Sequence, residues 1–130
     1  MSTSTAPSSR RTRAVLVLAS AAVAGGLLGW LCSTVILVSS PLALIPWAVA
    51  GVALGWLARS FGFAALVGAV YGFVLGVAFM IGGYAGAAPL VAVLPAFAAL
   101  GLAAAVGGLV CSELGAGVRR MLRRGTIADR

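Results

Sequence analysis

FAALVGAVYGFVLGVAFMIGGY, residues 63–84, carries no charged side chain. As a helix it is long enough to cross a hydrocarbon layer of about 30 Å. Ala64, Gly68, Gly72 and Gly76 recur at every fourth position, which lines them up along one helical stripe. Leu66, Val70, Phe73 and Val77 supply bulk on the opposite surface. In water, each glycine inside a helix costs about 1 kcal/mol relative to alanine. In lipid the same stripe lets a second backbone approach closely. The stretch predicts a membrane-spanning helix with neighbours along its glycine side.

Working outward, the composition agrees. The chain has 130 residues, the size of one domain. Apolar residues make up 62% and charged residues 8%, against about 45–50% and about 25% in soluble domains. A water-facing surface cannot be assembled from such a sequence. The net charge of +7 does not point to nucleic acid, because the basic residues flank apolar runs instead of forming one face. All of them are arginine, and the only acids are Glu113 and Asp129. The Ala/Gly/Val/Leu/Arg bias suggests a GC-rich bacterial genome.

Residues 1–13 read as a disordered tail ending in Arg10, Arg11 and Arg13. Four apolar runs follow, at about 14–37, 41–58, 63–84 and 89–111. The first is longer than a cleaved signal core and reads as a signal-anchor. Ser40-Pro41 opens the second run, with Pro46 as a kink or a later start. Arg59-Ser60 is the only polar break before the third, and Gly82, Gly83, Gly86 and Pro89 mark the turn into the fourth. Pro95 predicts a kink there. Residues 113–130 read as a basic tail. Its Arg119, Arg120, Arg123 and Arg124 share one helical side, the pattern of an amphipathic helix lying on anionic lipid headgroups. With the N-terminus inside, every internal arginine cluster is cytoplasmic and both outer turns are uncharged, as the positive-inside rule requires. The expected fold is an all-α integral membrane protein: a compact four-helix bundle with Gly/Ala-lined contacts and both termini cytoplasmic, in a bacterial inner membrane.

Small-residue ladders run through the other spans too. Gly25 and Gly29 lie in the first, Gly51 and Gly55 in the second, and Ala104, Gly108 and Ser112 in the fourth. Residues 22–31, AVAGGLLGWL, repeat loosely as 48–57, AVAGVALGWL. The two runs point in opposite directions through the bilayer, which suggests an inverted pair.

Enzyme chemistry has little to work with. The chain has no His and no Lys, so the usual bases are missing. No cluster of metal-ligand types occurs, and no cofactor is expected. Cys32 and Cys111 are expected near opposite ends of the bundle, about a bilayer apart. Three polar residues stand out. Arg59 and Glu113 could pair at the inner face, and Tyr71, at mid-depth, needs a hydrogen-bond partner, for which the Val91 carbonyl freed by Pro95 is a candidate. The expected role is a non-catalytic accessory or scaffold subunit that docks a larger membrane complex or a second copy. The alternatives are a small oligomeric channel or transporter subunit, and a holin-like pore former.

Overall fold

A computed structural model describes residues 8–35, 44–58 and 60–128, with side chains placed at 11–34, 44–58 and 60–124. The described chain is all-helical: α1 Ser8–Val35, α2 Ile45–Leu57, α3 Phe61–Gly83 and α4 Leu90–Ala128. α1, α3 and α4 each contain a stretch long and apolar enough to cross a membrane. α2 is equally apolar, but its 13 residues rise only about 20 Å.

The boundaries differ from the sequence reading. α1 starts at Ser8, inside the stretch 1–13 expected to be disordered, and carries Arg10, Arg11 and Arg13 in its first turns; the other departures have local reasons. α2 starts later than residue 41 because Pro46 falls in its first turn, where a missing N–H leaves nothing unbonded. Pro46 therefore begins the helix and does not kink it. α3 starts at Phe61, before the expected 63, because Ser60 caps it: the Ser60 hydroxyl accepts from the Phe63 amide at 3.3 Å. α4 is the largest departure. It runs through Pro95 and on through the whole basic segment as one helix of 39 residues. The described part of the expected separate extension, 113–128, is the last two fifths of that helix, continuous with the apolar part.

α3 is the central element and touches each of the others. α1 runs parallel to it: Gly25 faces Tyr71, Gly29 faces Leu75 and Ala78, and Ser33 faces Gly82. α4 runs antiparallel to α3, pairing Gly76 with Gly101, Gly72 with Ala104, and Gly68 with Ser112. α2 runs parallel to α4, with Gly51 on Cys111, Gly55 on Ser112, and Gly115 against Val52 and Trp56. None of the described glycines has a positive φ, so what they supply is room. A β-carbon at Gly25 would lie 2.6 Å from the Tyr71 carbonyl oxygen. One at Gly55, Gly68 or Gly72 would land on the backbone or hydroxyl of α4. The bundle is thus held by backbones in contact, through many small dispersion terms, with little large-side-chain core. Its buried apolar clusters are small: Ala21, Val67, Tyr71 and Leu75 in one, and Ala58, Ala64 and Ala116 in the other.

Some of these contacts are paired by an exchange of α1 with α2 and α3 with α4, although Gly55 meets Ser112 where that exchange would put Gly115. Gly68–Ser112 corresponds to Gly72–Gly108, and Gly25–Tyr71 to Gly51–Cys111. The Gly72–Ala104 contact has its counterpart in the Ser112 hydroxyl bonded to the Ala64 carbonyl. The two segments of the loose repeat, 22–31 and 48–57, lie on different neighbours: Gly25 and Gly29 face α3, and Gly51 and Gly55 face α4.

Candidate functional site

Among the described residues three polar places bear on function. The first surrounds Tyr71, halfway along α3. Its hydroxyl donates to the Trp47 carbonyl at 3.2 Å, not to Val91 as the sequence suggested. Val91 is near the start of α4, far along the antiparallel helix from Tyr71, whereas the first turn of α2 lies directly alongside. The Trp47 indole donates to the Cys32 sulfur at 2.9 Å, and its ring meets Phe79 edge-on, centroids 5.4 Å apart. Gly51 faces both Cys111 and the same tyrosine ring. The expectation that Cys32 and Cys111 lie a bilayer apart is therefore wrong. Because α4 continues well past residue 111, Cys111 sits at mid-depth and not at the end of a span. Both thiols are free.

Beside Tyr71 a groove of about 470 Å³ opens sideways between α2, α3 and α4, walled by Trp47, Leu75, Phe79, Leu100 and Gly108, with Cys111 among its lining residues. Tyr71→Phe is expected to cost about 0.6 kcal/mol, a typical interhelical hydrogen bond in lipid, and to leave the fold intact. Denaturation of the purified variant in mixed micelles measures this.

The second place is the arginine end. Ser112, fully buried, bonds to the Ala64 carbonyl at 2.8 Å and ties α4 to α3. Further along α4, Arg119 donates from Nη1 to the Trp56 carbonyl at 3.0 Å and the Ala58 carbonyl at 2.9 Å. These carbonyls close α2, whose last groups have no intrahelical donor, and a cation is favoured at that helix terminus. The Arg120 guanidinium lies 4.0 Å over the Phe61 ring. Arg123 lines the hollows on both sides of Arg119, and Arg124 lines neither.

Glu113 is the third. It is partly exposed on the outward face of α4, in a shallow groove with Leu109, Val110, Leu114, Gly117 and Met121. Among the described residues no side chain pairs with it. Six residues separate it from Arg119, about 9 Å of helix. The expected pairing with Arg59 falls outside the described residues, because Arg59 is not among them. The structure thus gathers Arg119, Arg120 and Arg123 at one end, sets Tyr71 apart from them at mid-depth, and turns Glu113 outward.

Sequence reasoning missed Arg119 as the anchor of α2 and Ser112 as the bridge to α3. Both had a signal. Ser112 continues the Ala104–Gly108 ladder, and a short helix ending at Leu57 needs a donor for its last carbonyls. Among the described residues no group of His, Cys, Asp and Glu is placed to hold a metal, and no buried side-chain N or O lacks a hydrogen-bond partner. No family model, curated protein or solved structure matches the chain.

Proposed function

We propose that the chain is a four-span protein of a bacterial cytoplasmic membrane, with both ends in the cytoplasm. It acts there as a non-catalytic accessory subunit, docking a larger membrane protein through the outward face of α4. The observation that carries this reading is Glu113: a carboxylate without a partner among the described residues, set in an apolar groove on the outside of the bundle. An ionisable group at such a depth is costly in lipid unless something pairs with it. A partner helix presenting a hydrogen-bond donor or a cation at that level would satisfy it, and Gly117, with nothing within 4 Å of its β-position, lets that helix approach. The arginines at one end of the bundle, with uncharged turns at the other, support the orientation.

A photo-crosslinker at Gly117, in cells, is expected to give a heteromeric adduct. Glu113→Ala should lower its yield at least tenfold, since breaking a desolvated charged pair costs about 2–5 kcal/mol. An adduct insensitive to Glu113, or one containing only this chain, overturns the reading.

The partial exchange of helices favours a second reading, a transporter subunit. Inverted halves and a mid-depth groove at their junction are the layout of many carriers. Solute or proton flux through liposomes holding the purified chain alone would select it over the accessory role.

A further inference from the structure

Where α2 turns into α3, the chain builds a cleft of about 410 Å³ against α4, lined by Ser60, Phe61, Arg119, Arg120 and Arg123. None of the described residues lining it is acidic. Arg119 uses Nη1 on α2, which leaves Nη2 and Nε able to donate elsewhere. Arg120 is exposed with its guanidinium over the Phe61 ring, and Arg123, also exposed, makes no hydrogen bond or ion pair among the described residues. Ser60 and Phe61, at the start of α3, form part of the cleft's lining. There the Phe63 amide is taken by the Ser60 hydroxyl and the Ala64 amide by the Ser60 carbonyl, while the amides of Phe61 and Gly62 have no intrahelical acceptor. A β-carbon at Gly62 would meet nothing within 4 Å, so the backbone is open to close approach. On the far side of Arg119 and Arg123 lies a second hollow of about 430 Å³, walled by Trp56, Leu57 and Leu122.

We infer that this cleft is a discrete seat for the phosphate of one anionic glycerophospholipid. The three guanidinium groups and the open amides are donors suited to phosphate oxygens. The hollow next to them, where Trp56, Leu57 and Leu122 add apolar surface to Arg119 and Arg123, gives the attached acyl chain a place against the end of α2. The two hollows share Arg119 and Arg123, and a soluble phosphate would leave Trp56, Leu57 and Leu122 uncovered, which commits the site to a lipid. The inference rests on lipid surrounding the helices, as proposed above, but not on the Glu113 face.

Diffuse attraction of a basic tail to an anionic surface depends on charge alone, at about 1 kcal/mol per arginine. A built seat depends on which arginine is lost. Arg123→Gln and Arg124→Gln remove the same charge one residue apart, and only Arg123 lines the cleft. The purified full chain, in detergent, is titrated with phosphatidylglycerol and separately with phosphatidylcholine, and bound lipid is counted by native mass spectrometry. The expected result is one retained phosphatidylglycerol per chain. Arg123→Gln and Arg120→Gln should each weaken it about tenfold, the loss of one charge-assisted hydrogen bond, and Arg124→Gln less than twofold. Equal effects of Arg123→Gln and Arg124→Gln would overturn the seat. Inorganic phosphate binding as tightly as the lipid would overturn the lipid assignment. A chain that stays soluble without detergent would instead remove the membrane reading itself.

Discussion

Gly55→Val is expected to prevent α2 from docking, at a cost of about 3 kcal/mol or more. At Gly55 the backbone of α2 rests on the backbone of Ser112, and an added β-carbon would coincide with the Ser112 carbonyl. Neither side can yield cheaply. Ser112 is fixed from behind by its bond to Ala64, and α2 is tied one turn further on by Arg119. Gly107→Ala is the control. Its β-carbon would meet nothing within 4 Å, so it should be neutral or stabilise by up to about 1 kcal/mol through helix propensity. Size-exclusion profiles and thermal unfolding in one detergent separate the two. Equal behaviour of both variants would mean that α2 and α4 do not cross where the structure puts them.

The second large effect is at Arg119. Replacing it by alanine removes two hydrogen bonds from a charged donor, about 1.5–3 kcal/mol each where water is excluded and less at this partly exposed site. A helix of 13 residues has little stability of its own, so the end of α2 should fray. Trp56 fluorescence reports this as a red shift and faster quenching by an aqueous quencher. Arg119→Lys should recover only part of the loss, since one ammonium lacks the planar fork that reaches both carbonyls. Arg124→Ala, identical in charge, should leave Trp56 unchanged.

Much of the bundle was legible because lipid-compatible helices announce themselves by long uncharged runs. The four runs and the turn at Ser60 were readable for that reason. Helix ends were less so. A span read from hydropathy stops where charges begin, whereas a helix stops where its hydrogen bonds do. α4 carries on past Ser112 because nothing in Gly115–Val118 removes an amide, and Gly115 itself packs against Val52 and Trp56. That one extension also misplaced Cys111, whose depth had been counted from the wrong end. Tyr71 was marked as needing a partner, but the choice of Trp47 depends on how α2 lies across α3, which no local pattern encodes. The three-arginine cleft was hidden for the same reason. Its residues were all noticed, yet only the α2–α3 turn folding against α4 distinguishes Arg123 from Arg124.

The unbroken run of α4 from Leu90 to Ala128 has a mechanical meaning. At about 1.5 Å per residue it measures about 58 Å, nearly twice the hydrocarbon thickness, with Pro95 in its first third as the one residue that removes an amide from the helix. Whatever grips the arginines therefore holds a stiff lever whose other arm is the Gly68–Gly72–Gly108 crossing. A displacement of the arginine end would therefore be carried along the same helix toward Cys111, which faces Gly51 beside the Tyr71 ring.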